Sequence, residues 1–232
     1  MFESNRLLEA LPPECRDFLG GRLLSKPITV GEVLLDVGNP LHSVIFPVDG
    51  LVSMRIPLAD NRFVEAVSFG QDGVIGGQVL LGATHFPWRA ITVISGRAAW
   101  LPVDSLIEAM ERFPAFEPVV QQCIARVISR ATRGVVCASV HSAHQRIATW
   151  LRHAHDRVWG KPFDLTQSTL AEILGLRPAT VSEACSRLLA ISAIEYSRGK
   201  LRILDPDLLE SECCECYEAV SLSKLMAEHA AA

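Results

Sequence analysis

Between Thr166 and Asp205 the chain spells two short amphipathic helices, a glycine turn joining them and a basic hairpin behind them. Few folds accommodate that order. Thr166 suits a helix N-cap, because its hydroxyl accepts from a first-turn N–H. Leu170, Ile173 and Leu174 then share one face, and the small Ala171 permits a close helix crossing. Gly175 supplies the left-handed residue that closes a helix. Leu176 plugs the turn, and Pro178 suits the first turn of a second helix, which buries Val181, Ala184, Cys185 and Leu188. Two helices so joined make a helix-turn-helix. After them, Ile194-Glu195-Tyr196 and Leu201-Arg202-Ile203 alternate like strands around Ser197-Arg198-Gly199-Lys200, a hairpin with a basic tip, or wing.

Such a motif reads double-stranded DNA, so a DNA-binding regulator is expected rather than an enzyme. The second helix enters the major groove and turns its exposed early side chains to base edges. Those are Arg177, Ala179, Thr180, Ser182, Glu183 and Ser186, while Arg187, Arg198 and Lys200 reach phosphates. The chain as a whole carries a net charge of −4, which speaks against a polyanionic partner. Its distribution matters more. Within 177–202, five basic residues (Arg177, Arg187, Arg198, Lys200, Arg202) stand against Glu183 and Glu195, so 5 − 2 = +3.

Upstream the texture changes twice. From Pro27 to Pro102, short β-rich runs such as Val33–Leu35, Val44–Phe46, Leu51–Ile56, Phe63–Val67 and Ala90–Ile94 alternate with turn residues. Gly31, Gly38-Asn39-Pro40, Asp49-Gly50, Asp60-Asn61, Asp72-Gly73 and Ser95-Gly96 punctuate them. Many short strands near ten-residue spacing predict an antiparallel sandwich or roll. A short helix over Leu7–Leu11 and Glu14–Gly20 precedes it. Asp104 caps a helix that runs to Arg112 and stops before Pro114. A long helix follows over Phe116–Ala138. Val120, Cys123, Val127, Ala131, Gly134 and Ala138 recur along it at steps of 3 or 4, close to a coiled-coil seam, which predicts a homodimer; packing on its own β-domain is the alternative. The fold class expected is therefore α+β. It divides into an N-terminal antiparallel β-roll of the jelly-roll type over 1–114, a dimerisation helix over 115–140, a winged helix-turn-helix over 141–210 and an acidic, cysteine-containing tail over 211–232. The last domain begins with a helix over Ser142–Val158.

This order, β-roll, long helix, winged helix, resembles the Crp/Fnr family of transcription regulators over nearly the whole chain. The resemblance is carried by Gly31-Glu32-Val33-Leu34, Gly38-Asn39-Pro40, Val44-Ile45-Phe46-Pro47, Gly50-Leu51-Val52-Ser53 and Gly73-Val74-Ile75-Gly76. Leu165-Thr166-Gln167, Leu174-Gly175, Arg198-Gly199-Lys200-Leu201-Arg202-Ile203-Leu204-Asp205 and Cys214-Glu215-Cys216-Tyr217 complete it. It implies a cyclic-nucleotide-binding-like roll that senses a small-molecule effector, a homodimer on a palindromic DNA site, and contact with RNA polymerase. Gly76, Gly77 and Arg89 fall where the family holds its effector. Gly77 stands where cyclic-nucleotide binders carry the ribose-binding glutamate, and Arg89 matches their phosphate arginine. Without the glutamate, control by cAMP is not expected, and Arg89 then serves structure, with Glu65 or Asp72 as partner. Pro178, Ala179 and Glu183 occupy recognition-helix places where the family often carries arginine or glutamate, so its familiar target sequence does not carry over.

Seven cysteines, an odd number and scattered, read as reduced thiols rather than a disulfide framework. No apolar run approaches the roughly 18–20 residues of a membrane span, and the first residues lack the order of a secretory signal, so a cytoplasmic chain with no membrane partner is expected. Only Cys15 lies near the N-terminus, which does not support an iron–sulfur cluster there, and His42 and His85 are too isolated for haem; no cofactor is expected. Cys213, Cys214 and Cys216 form one compact thiol group. They read as ligand-free tail thiols, as a redox switch, or as part of a metal site that His229 or a symmetry mate completes. No metal site is assigned. Nearby Glu212, Glu215 and Glu218 are expected to raise the thiol pKa values. His141, His144, His153 and His155 read as solvated or inter-domain histidines. A β-roll metalloenzyme is the rival class, but His42, His85 and Glu65 show no paired ligand spacing.

Overall fold

A computed structural model describes residues 5–60, 62–197 and 200–220. They divide into two compact units. One runs to Arg55 and includes Ser68–Ile128; the other joins Ile56–Val67 to the residues from Ser129 onward.

The first unit opens with helices α1 (Arg6–Glu9) and α2 (Pro13–Gly20). Asn5 anchors them. It is wholly buried, yet its Oδ1 accepts from the Leu7 and Leu8 N–H groups and its Nδ2 donates to the Pro47 and Gly73 carbonyls at 2.7 and 3.0 Å. A polar side chain survives burial when its hydrogen-bonding capacity is so used. Strands β1 (Leu24–Ile28), β2 (Val33–Leu35), β3 (Ser43–Pro57), β4 (Phe63–Phe69) and β5 (Arg89–Pro102) form one sheet in the order β1-β5-β3-β4, with β2 also paired to β5. The β1/β5, β2/β5 and β3/β5 pairs are antiparallel. A 3₁₀ turn at Gly77–Leu81 precedes β5, and α3 (Val103–Arg112) follows it. Leu8, Leu19, Val44, Phe46, Leu101 and Leu106 close the core.

Two expected turns are bulges instead. Asp49-Gly50 and Ser95-Gly96 lie inside the 15-residue β3 and the 14-residue β5, which face each other with register shifts at Pro47/Asp49, Asp49/Leu51 and Leu51/Val52. Gly50 takes φ +84°, and a Cβ there would stand 2.5 Å from the Ile94 carbonyl oxygen. A Cβ on Gly96 would stand 2.2 Å from the Asp49 carbonyl oxygen. Backbones that close bend the ladder without breaking it, so glycine marks curvature here, not a chain reversal. Asp104 also corrects an expectation. It lies in the first turn of α3, whose N-cap is Pro102, and so complements the helix dipole rather than capping the end.

Helix α4 (Phe116–Val140) runs 25 residues, about 37 Å at ~1.5 Å per residue, and the division between units falls inside it rather than at either end. In the second unit α5 (Ala143–Arg157) starts at a capping box: the Ser142 hydroxyl accepts from the Gln145 N–H, and the Gln145 side chain accepts from the Ser142 N–H. Then come β6 (Phe163–Asp164), α6 (Gln167–Leu174), α7 (Pro178–Ala190), β7 (Ile194–Ser197), β8 (Lys200–Ile203), α8 (Pro206–Ser211) and α9 (Cys216–Ala219). The three short strands form an antiparallel sheet in the order β6-β8-β7. Ile147, Leu151, Leu170, Ile173, Val181, Leu188, Leu201 and Leu209 are its buried centre. Within the acidic, cysteine-containing tail, Cys214, Cys216, Tyr217 and Val220 are buried, and the Tyr217 hydroxyl donates to Asp156 at 2.9 Å. No helix among the described residues is long and apolar enough to cross a membrane.

Candidate nucleic-acid interface

The crossing of α6 and α7 is built as the sequence predicts. Thr166 caps α6 by accepting the Thr169 N–H at 3.0 Å. Gly175 ends it in the left-handed region at φ 62°, ψ 36°, and the next N–H, from Leu176, returns to the Ala171 carbonyl at 2.9 Å. Arg146 of α5 places a cation on the same helix end, donating to the Leu174 carbonyl at 2.7 Å. Pro178 opens α7.

Helix α7 divides cleanly into two faces. Val181, Ala184, Cys185 and Leu188 are buried. Arg177, Ala179, Ser182, Glu183, Ser186 and Arg187 are exposed and Thr180 is half-buried. Arg187 pairs with Glu183 one turn earlier at 2.6 Å, and the Ser186 hydroxyl donates to the Ser182 carbonyl at 2.8 Å. The wing lies next in sequence. β7 and β8 pair Ile194 with Ile203 and Ser197 with Lys200, and inward Leu201 and Ile203 alternate with outward Lys200 and Arg202. Lys200 lies 3.9 Å from Asp164. Arg198 lies outside the described residues, and so does His229. Cys185 is a core residue of α7; burial pushes its thiol up, which makes it inert as a nucleophile.

The effector residues proposed from sequence lie in the first unit. Gly76 (φ 83°) leads into the 3₁₀ turn that begins at Gly77. Arg89 grips Asp36 through two hydrogen bonds, Nε to Oδ1 at 2.9 Å and Nη2 to Oδ2 at 2.7 Å, so its bidentate partner is Asp36 where Glu65 or Asp72 was expected. The guanidinium holds the Asp36 carboxyl below the usual carboxylate range. Glu65 instead accepts from the Trp150 indole N–H at 3.0 Å. An apolar cavity of about 30 Å³ is lined by Leu7, Phe46, Leu106, Val120 and Cys123. Val120 and Cys123 thus face the interior of their own unit. Val127 and Ala131 are half-buried, while Gly134 and Ala138 are exposed. The outward apolar side chains of α4 are Ile128, Val135, Val136 and Val140.

The thiols near the C-terminus do not form the group the sequence suggests. Cys214 and Cys216 turn inward toward Cys137 and His141, while the Cys213 thiol donates to the Leu209 carbonyl at 3.3 Å. Burial pushes the Cys213 thiol up to about 12, with Cys214 and Glu210 adding to the rise where Glu212, Glu215 and Glu218 were expected, and burial with the neighbouring thiols raises Cys137 and Cys216. The histidines are not plainly solvated either. His144 bonds Glu212 at 2.6 Å, His153 packs on Tyr217 with ring centres 5.0 Å apart, and His155 is lowered by burial. His141 and Cys137, which sequence reasoning assigned to no common site, signal themselves only as a Cys-x₃-His pair on one helix face.

Comparison with known proteins agrees with this geometry. Residues 145–212 match the Crp-like helix-turn-helix domain. The transcriptional activator protein anr of Pseudomonas aeruginosa is 24% identical over 187 residues, 78% of this chain and 76% of its own length. The structure of FixK2 from Bradyrhizobium japonicum superposes with a TM-score of 0.70 at 19% identity, covering 83% of this chain and 98% of that one. TTHB099, a CRP-family transcriptional regulator from Thermus thermophilus, superposes with a TM-score of 0.65 at 18% identity over 81% of this chain and 95% of its own. At those identities the solved structures establish the fold.

Proposed function

We propose that this chain, a transcription regulator of the Crp/Fnr family, reads a palindromic DNA site as a homodimer and does so without a cyclic nucleotide. One observation carries the reading: the outer face of α7 is a row of polar and charged side chains, Arg177, Ser182, Glu183, Ser186 and Arg187, projected from a fully buried opposite face. That row suits base edges, and Thr180 at its margin offers a hydroxyl and a methyl group to the groove. Arg187, Lys200 and Arg198 suit phosphates. Glu183 is a candidate to accept from a cytosine amino group once DNA draws Arg187 out of their exposed ion pair, which at a surface is worth only about 0.3–0.5 kcal/mol.

Dimerisation through α4 is supported by its exposed Ile128, Val135, Val136 and Val140. At ~100° per residue, Ile128, Thr132 and Val135 lie about a quarter-turn from the seam expected at Val127 and Ala131. Gly134 and Ala138 stay on the expected seam beside this stripe and, being exposed, border the proposed interface; Val120 and Cys123 do not. Independence from cyclic nucleotides is supported by Gly77, which offers no carboxylate to a ribose, and by the engagement of Arg89 with Asp36. Sequencing genomic fragments captured by the purified protein tests the whole reading. An enriched inverted repeat, bound equally with and without added cAMP, is expected. Protein that binds no duplex at low salt ends it.

A further inference from the structure

Four ligand atoms from two distant stretches of chain converge at the C-terminal end of α4. Cys137 and His141 stand one turn apart, and the His141 N–H donates to the Cys137 carbonyl at 3.2 Å, so the helical turn carries both. Cys214 and Cys216 come from the junction of α8 and α9. Cys137 Sγ lies 3.5 Å from Cys214 Sγ, Cys216 Sγ lies 3.7 Å from His141 Nδ1, and all four ligand atoms lie within 4.8 Å of one another. A tetrahedron with Zn–S near 2.3 Å and Zn–N near 2.0–2.1 Å sets its sulfurs about 3.8 Å apart and sulfur to nitrogen about 3.6 Å. Cys214 and Cys216 are 4% and 3% exposed and Cys137 and His141 are half-buried, so two of the four ligands are shielded from water.

The geometry points to a mononuclear Cys₃His site for a zinc-class divalent cation. Three thiolates and an imidazole are the soft, tetrahedral set that selects such ions, and each thiol releases its proton to solvent as it ligates. A polynuclear iron–sulfur cluster would spread its cysteines over several irons; this set closes around one ion. With four protein ligands no position is left open, which makes the site structural rather than catalytic. The surrounding groups fit. His141 Nε2 faces the Glu215 carboxylate at 3.1–3.2 Å, which favours the tautomer whose Nδ1 lone pair points among the thiols. The Thr149 hydroxyl lies 3.2 Å from Cys214 Sγ and accepts the Cys214 N–H at 3.2 Å. The ion would close a loop of 77 residues that contains α5, the helix-turn-helix and the wing, so it stabilises the DNA-reading module as a whole.

The test uses the full chain, purified under anaerobic reducing conditions, stripped with a chelator and titrated with Co(II). One Co(II) per chain is expected, with the intense visible bands of tetrahedral thiolate coordination, displaced by Zn(II) and accompanied by a rise in Tm. Cys213→Ser keeps bands and stoichiometry. Cys137→Ser and Cys216→Ser bind at least about tenfold more weakly and lose charge-transfer intensity, and Glu215→Gln keeps the spectrum with affinity reduced about tenfold. Wild-type protein that takes up neither Co(II) nor Zn(II) overturns the site, and so does a Cys137–Cys214 disulfide recovered from the anaerobic preparation. Bands lost in Cys213→Ser but kept in Cys137→Ser overturn it as well. The wild-type titration decides even if a variant misfolds, and its failure leaves the DNA-binding reading standing.

Discussion

Thr166 and Gly175 bracket α6, and each acts through one physical effect that can be separated from packing. Thr166 satisfies an N–H that no helical carbonyl can reach, so Thr166→Ala is expected to cost about 1 kcal/mol in urea unfolding, with Thr166→Ser close to wild type. At Gly175 an added Cβ would meet only Val64 methyls at 3.5 and 3.6 Å, ordinary contacts, so space is not what requires glycine. The left-handed backbone is, and Gly175→Ala is expected to cost about 1–2 kcal/mol through φ alone. Asp36 offers a pH handle. Its carboxyl is depressed, first by the Arg89 hydrogen bond, so the stabilisation it gives is present above the unfolded value near 3.9 and is lost as pH falls through the lower folded value. Thermal scans should show Asp36→Asn differing from wild type by the same small amount at pH 7 and pH 5, and the difference shrinking towards pH 3. A difference that grew on acidification would contradict the pairing.

Among the elements, those with local causes were legible. Caps, turn glycine and alternating burial placed α6, α7, β7 and β8 from sequence, because each depends on residues a few positions apart. Elements whose meaning depends on distant neighbours were not. Asp49-Gly50 reads as a turn until the Ile94 carbonyl is known to lie against it. Cys137-x₃-His141 reads as nothing until Cys214 and Cys216 fold back upon it. The small-residue rhythm of α4 fits a seam between helices and a face against the helix's own unit equally well, and burial of Cys123 shows that its N-terminal part is the latter. The two registers differ in a measurable way. Sedimentation should show Ile128→Glu and Val135→Glu shifting the protein to monomer at concentrations where wild type is dimeric, since each buries a charge in an apolar contact. Val127→Glu, on the half-buried neighbouring face, should disturb folding stability more than association. Dissociation by Val127→Glu alone would restore the original seam.

For the whole molecule, the two-fold symmetry proposed for the dimer turns local charge into a quantitative expectation about DNA. A dimer presents two copies of α7, which demands half-sites about 34–36 Å apart on one face of the duplex. Inserting about five base pairs, half a helical turn, between the half-sites should therefore remove one α7 from its groove and reduce binding to that of a half-site, while half-sites bound by independent monomers would tolerate the insertion. The same symmetry doubles every phosphate contact. Arg187 and Lys200, both exposed, make two candidate contacts per protomer and four per dimer. With each phosphate contributing about 0.9 to the dependence of log K on log salt, Arg187→Ala combined with Lys200→Ala should flatten that slope by about 3.6 and weaken all sequences alike. Ser182→Ala and Glu183→Ala should instead leave the slope unchanged and alter which bases are preferred. A flattened slope in the second pair, or an unchanged one in the first, would mean that α7 meets the duplex in another orientation, because only the geometry in which its early turns face bases and its later turn and the wing face the backbone separates the two responses.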